Sequence, residues 1–193
     1  MPGSKQLRAR DSSDVAHTPH EGRGFFETRF WLRDLILSLL LAFVFVIFLY
    51  QPVQVEGTSM MPRLSNHERI FINKFVYRFE PIRRGDIVVF YYPLDPSKSY
   101  IKRVVGLPGE TLSIRDGRVY INSRAMKEPY VSPSFLDPQS YPPVTIEPDH
   151  YYVLGDHRDS SNDSREWGAV DRKYIYGKAV FVYWPFRQFG SLE

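Results

Sequence analysis

The 193-residue sequence contains no cysteine, which removes disulfide staples, thiolate metal sites and a thiol nucleophile together. A cysteine-free domain is stable in either redox setting, so the compartment stays open on this ground. Charge of one sign is also scarce. The 25 Lys and Arg residues stand against 22 Asp and Glu, a net +3, and they are interleaved with no basic block. A nucleic-acid partner is therefore not expected, despite a pI near 9.0. No internal repeat is visible. What is present is 43% hydrophobic and 16% aromatic residues, enough for one packed domain with appendages.

Residues 1–24 mix Ser, Gly, Pro, His and charges without apolar periodicity, a composition that predicts a flexible tail. The sixteen residues from Leu35 to Tyr50 then carry no charge, and Ser38 alone interrupts them before the terminal tyrosine. They span about 24 Å as a helix, and Trp31, Tyr50 and Arg33 extend that toward a bilayer's thickness. Apolar residues occupy every side of the helical wheel, which argues against a helix buried on one face. A cleaved secretory signal fits poorly, because Gln51-Pro52-Val53-Gln54-Val55 offers no small-x-small site. Lys5, Arg8, Arg10, Arg23, Arg29 and Arg33 precede the span, and only Arg63 and Arg69 follow closely. The positive-inside rule then places the N-terminus in the cytoplasm. The expected organisation is a tail over residues 1–29, one transmembrane helix over 30–51 and an extracytoplasmic domain over 52–193.

That domain reads as short strands. Arg69–Phe75, Ile87–Tyr92, Tyr100–Val105, Thr111–Arg115, Arg118–Asn122, Tyr151–Leu154 and Lys178–Trp184 are rich in β-branched and aromatic residues. Asp116-Gly117 between two alternating runs predicts a hairpin. Residues 128–149 are proline-rich and aperiodic, and predict a long irregular excursion. The fold class expected is mainly β, an antiparallel β-sheet domain behind a single N-terminal helix.

Ser59, beside Gly57-Thr58 and just beyond the span, is the candidate nucleophile. A serine attacks only when a neighbour accepts its proton. His17 and His20 lie in the tail, and His67 and His150 have no adjacent pattern to orient them, which leaves His157 for a Ser/His/Asp arrangement. Lys102 is the alternative base. Strand alternation sets Tyr100, Lys102 and Val104 on one face and Ile101, Arg103 and Val105 on the other. Burial depresses a lysine enough to make it a base, yet a lysine at a strand edge reaching solvent explains the same pattern. The polar run Gly155–Arg165 fails as a calcium loop, since Val170 stands where the last ligand is needed. It reads either as a solvated loop or as an ion-paired scaffold beside the lysine.

Four stretches together resemble the type I signal peptidases, also called leader peptidases. They are Ser59-Met60-Met61-Pro62, Arg84 to Val88, the run Tyr100 to Gly106 followed by Pro108-Gly109-Glu110, and Gly155 to Arg165. They occur in the family's order from about residue 30 to the C-terminus. The resemblance implies a membrane-bound serine endopeptidase without cofactor or metal. It would remove signal peptides from exported preproteins after small residues, at Ala-x-Ala type sites, through an acyl-enzyme. It further implies Ser59 as nucleophile, Lys102 as general base, Ser161 as the residue holding the lysine, and Asp163 with Arg165 as a supporting ion pair. Asp156 becomes an acidic structural position. Gly57 stands where some members place a serine donor, so the oxyanion would lean on the Ser59 backbone N–H. Arg63 replaces a common threonine and His157 a common asparagine. Val53, Val55, Met60, Leu64, Tyr100 and Ile101 are the expected walls of the substrate pockets, and the membrane lipid the expected second partner. By the same resemblance the location is the bacterial cytoplasmic membrane. The competing reading is a membrane-anchored β domain that binds partners through its loops and does no chemistry.

Overall fold

The computed structural model describes residues 23–192, with side chains from residue 29 onward. The reading of residues 1–22 as a flexible tail lies outside the described residues. Arg23–Leu49 is one helix, α1, so residues assigned above to the end of the tail are helical. Its Arg29–Leu49 portion is long and apolar enough to cross a membrane, and its side chains are exposed through Phe48. Leucine and phenylalanine exposed on all sides suit lipid and not water. The chain divides into one unit ending at Val44 and a second running from Phe45.

The second unit is antiparallel β. Its strands are β1 (Tyr50–Gln54), β2 (Arg69–Asn73), β3 (Ile87–Tyr92), β4 (Asp95–Gly106), β5 (Thr111–Arg115) and β6 (Arg118–Ile121), then β7 (Arg124–Ala125), β8 (Tyr141–Thr145), β9 (His150–Leu154), β10 (Val170–Asp171), β11 (Ile175–Trp184) and β12 (Gly190–Ser191). Short helices α2 (Val76–Phe79) and α3 (Ser164–Trp167) sit in the connections. The larger sheet has the order β1-β2-β11-β3-β4-β9-β10, with β12 on β11, and the smaller has β7-β6-β5-β8.

β3 shows why the large sheet is covered on both faces. Alternation sends Ile87 and Val89 into a cluster with Ile70, Ile72 and Val182, and Val88 and Phe90 into another with Val104 and Ile175. A third cluster, with Val105, Leu112, Ile146 and Leu154 among its members, ties residues of the two sheets together. Asp116 and Gly117 both have positive φ, 46° and 75°, the backbone of the tight turn that matches strand twist. That hairpin joins β5 to β6, with Arg115 paired to Arg118.

The proline-rich segment is less irregular than expected, because Tyr141–Thr145 forms β8. β8 pairs only with β5, and an edge strand tolerates Pro142 and Pro143, which lack the N–H a second neighbour would need. β4 also begins earlier than its apolar run, at Asp95. β9 pairs only with its Arg103–Gly106 end, so among the described residues the edge of β4 before Arg103 carries no strand.

Phe90 is fully buried and contacts the rings of Tyr100 and Trp167. Phe90→Ala is expected to cost about 3–5 kcal/mol in urea denaturation; a loss under about 1 kcal/mol would show that this cluster does not hold the sheet.

Candidate active site

The turn that carries Ser59 is built from local bonds. The Met61 N–H donates to the Thr58 carbonyl at 3.0 Å and the Leu64 N–H to the Met60 carbonyl at 2.8 Å. Met60 and Leu64 are buried in the core beneath the turn. They anchor it, and they are absent from the lining of the adjacent cavity, which corrects their placing as pocket walls: two large apolar side chains gain more by full burial than by facing an open groove. Gly57 has φ of 94°, backbone that a side chain rarely adopts. Its N–H donates to Asn66 Oδ1 at 2.9 Å, so that amide is committed elsewhere. The Ser59 N–H has no hydrogen-bond partner among the described residues.

Lys102 arrives from β4 with only 5% of its surface exposed. The solvent-reaching strand-edge lysine is therefore overturned. Its Nζ donates to Ser59 Oγ at 2.8 Å and to the Ile101 carbonyl at 3.2 Å, and it lies 5.4 Å from the centre of the Tyr100 ring. Burial brings the Lys102 ammonium down to about 8, against a smaller upward pull from Asp163 and Asp156 and a downward push from Arg165.

Alternation sends the neighbouring Arg103 the other way. Its guanidinium grips Asp156 with two bonds, Nε to Oδ1 at 2.8 Å and Nη2 to Oδ2 at 2.6 Å, and Nη1 reaches the Gly85 carbonyl at 2.9 Å. Burial pushes the Asp156 carboxyl above its ordinary range, while Arg103 pulls the other way. Adjacent β4 residues thus join the Ser59 turn and the Gly155–Arg165 run to the same strand.

That run is a scaffold and not a solvated loop. Asp163 caps α3 and is buried. One oxygen takes Arg165 Nε at 2.8 Å, and the other takes the Gly155 N–H at 3.0 Å and Arg165 Nη2 at 2.9 Å. Arg165 also donates to Asp137 and to the Arg158 carbonyl, both at 2.7 Å. Gly155 is needed for a close approach: a Cβ there would stand 2.2 Å from Ser161 Oγ and 2.5 Å from the Ser59 carbonyl oxygen. Ser161 Oγ is buried without a hydrogen-bond partner in the described residues, and no bond joins it to Lys102.

His157 sits beside the turn without touching Ser59 Oγ. Its backbone N–H donates to the Ser59 carbonyl at 3.1 Å, Nδ1 lies 3.2 Å from the Thr58 carbonyl oxygen, and Nε2 lies 3.0 Å from Asp159. The Ser/His/Asp alternative therefore lacks its central contact. Arg63, which replaces a common threonine, donates to the Ser191 carbonyl at 2.6 Å.

A cavity of about 510 Å³ opens onto Ser59 and Lys102. Val53, Val55, Tyr100 and Ile101 line it. Ile70, Ile72, Val89 and Tyr176 line it too and escaped the sequence reading, because strand alternation shows that such residues face inward but not that the sheet leaves a gap there. β1 and β4 are separated by β2, β11 and β3 in the sheet, yet both line this cavity, so the sheet coils around it. Among the described residues no group of His, Asp and Glu is arranged to hold a metal ion.

Residues 28–184 match the family described as signal peptidase, peptidase S26. A signal peptidase I of Bacillus licheniformis is 36% identical over 82% of this chain and 89% of its own length. One of Leptolyngbya laminosa is 37% identical over 83% and 82%, and one of Bacillus caldolyticus is 39% identical over 74% and 84%.

The buried ammonium has a consequence for stability. Lys102 binds its proton less tightly in the folded chain than in the unfolded one, so folding is penalised below pH 8 and the penalty fades between about 8 and 10.5. Lys102→Met is expected to be more stable than the parent by about 2–3 kcal/mol at pH 7, with the gap closing above pH 10. Denaturation at both pH values checks this; a variant less stable at pH 7 would contradict the desolvation.

Proposed function

Since the chain belongs to the signal peptidase family, peptidase S26, we propose that Ser59 is its nucleophile and Lys102 its general base. The protein is a serine endopeptidase that cleaves signal peptides from preproteins. The observation that carries the assignment of residues is the 2.8 Å contact between Lys102 Nζ and Ser59 Oγ, made by a lysine with almost no water around it.

At the ordinary lysine pKa, neutralising the amine at pH 7 costs about 4.8 kcal/mol; at a value near 8 it costs about 1.4 kcal/mol. Burial thus makes about one lysine in ten a base at pH 7. The neutral amine reverses the sense of the bond, and the Ser59 hydroxyl donates to it. Oγ attacks the carbonyl carbon of the scissile bond as its proton passes to Nζ. The oxyanion that forms is met by the Ser59 N–H, which has no partner among the described residues. Lys102 then returns the proton to the leaving amine, and the acyl-enzyme is hydrolysed by a water that Lys102 activates in turn.

Asp163, Arg165 and Asp156 hold the frame through the bonds described above. Ser161 Oγ, buried beside Gly155 and without a hydrogen-bond partner among the described residues, is a reserve acceptor for the lysine. The substrate lies extended along the unpaired edge of β4. Val53, Val55, Tyr100 and Ile101 wall pockets for small side chains, which favours alanine at the first and third positions before the cut.

The helix fits a membrane-anchored protein. The finer placement we propose is a single pass through the bacterial cytoplasmic membrane, with the basic N-terminal side in the cytoplasm and the β unit outside, next to the lipid that anchors its preprotein substrates.

A detergent-solubilised chain given a precursor with an Ala-x-Ala signal peptide is expected to cut after that site, with kcat/KM rising through about pH 8. Ser59→Ala and Lys102→Ala are each expected to lose at least about a thousandfold. Mutants that cut as well as the parent would remove Ser59 and Lys102 from the mechanism.

A further inference from the structure

A second cavity, of about 400 Å³, adjoins the first and shares Asn162 as a common wall. Its other walls are Tyr92, Leu94, Ser161, Glu166 and Trp167. We propose that this cavity receives the first residues of the mature chain, beyond the scissile bond, and that Glu166 favours a cationic residue there over an anionic one. The inference rests on Ser59 being the nucleophile.

The geometry of cleavage supplies the first argument. A peptide whose carbonyl carbon sits at Ser59 Oγ has two arms. The arm before the bond occupies the larger cavity, walled in part by Val53, Val55, Tyr100 and Ile101. The other arm has to leave past the residues beside the dyad, and Asn162 is the side chain that faces both spaces. Ser161 belongs to the second cavity and packs against Gly155, next to the Ser59 carbonyl.

The walls are also built and not incidental. Trp167 Nε1 donates to Asn162 Oδ1 at 2.6 Å. Tyr92 meets Trp167 edge-on at 5.8 Å between ring centres and stacks on Tyr100 at 4.6 Å. Tyr100 in turn lies under Lys102. One aromatic surface therefore runs from the base to the far end of the second cavity, a surface suited to an extended backbone passing over it.

Charge gives the selectivity. Glu166 is the one charged residue in the lining. It is exposed, and its carboxylate makes no hydrogen bond or ion pair with any described residue. The cation next to it in sequence, Arg165, is held by Asp163 and Asp137. The one charge in this lining is therefore negative. A lysine or arginine at the first or second mature position gains a partner there, and a glutamate meets a like charge.

The test uses the detergent-solubilised full chain and three precursors that share one Ala-x-Ala signal peptide and carry Lys, Gln or Glu at the second mature position. For the parent, kcat/KM is expected to fall in that order, with about a two- to fivefold ratio between Lys and Glu at low salt, shrinking as salt screens the charge. Glu166→Gln is expected to bring the ratio to about one, and Glu166→Lys to invert it. Each enzyme is read as a ratio between its own precursors, so a general loss of activity in a variant does not enter. A parent that cuts the Gln precursor but ignores the charge, or a ratio that Glu166→Gln leaves unchanged, overturns this inference alone. A parent that cuts none of the three overturns the reading of the site, and this inference with it.

Discussion

The desolvation of one ammonium group is the constraint on which the rest of the site depends. A lysine in water is almost wholly protonated at neutral pH and cannot take a proton from serine. Removing it from water shifts that balance by several kcal/mol, more than any other single group here contributes. The cost falls on folding, and the sheet meets it with clusters on both faces of β3 and β4. Asp163 and Asp156 pull the lysine back toward its charged form, so their engagement with Arg165 and Arg103 matters beyond structure. Each carboxylate is held by a guanidinium, which limits how strongly it holds the proton on Lys102.

The site is also a product of strand periodicity. Lys102 and Arg103 are neighbours on β4 and point to opposite faces, one to Ser59 and the other to Asp156. The turn that carries the nucleophile is pinned from the core by Met60 and Leu64 and from the outside by the His157 backbone N–H. Gly155 lets the two segments approach, since any side chain there would collide with the Ser59 carbonyl. Serine and lysine are thus positioned by elements more than forty residues apart in sequence.

Much of this was legible in residue order, and the reasons for the gaps are physical. Ile87–Tyr92 and Thr111–Arg115 coincide with β3 and β5, because apolar alternation bounded by turns reports a strand directly. The hairpin at Asp116-Gly117 follows from residues that tolerate positive φ. β8 escaped notice because prolines mask a strand whose outer edge is unpaired. Burial of Lys102 was undecidable from its own strand, since alternation gives a face but not what covers it. The coiling that brings β1 opposite β4 depends on sheet twist summed over several strands, and no local pattern records it. The resemblance to a family, carried by boxes around Ser59, Lys102 and Asp156, bridged that gap, and the match over residues 28–184 establishes membership.

The central claim concerns the protonation of Lys102 in the free protein, and it is measured most directly by NMR. Lysine labelled with ¹³C at Cε in the detergent-solubilised full chain would be titrated from pH 6 to 11, with the Lys102 signal identified by its absence from Lys102→Met. The account predicts a midpoint near 8, well apart from the exposed lysines. A midpoint at or above about 10 would mean that burial does not generate the base, and the Ser59–Lys102 mechanism would fail with it.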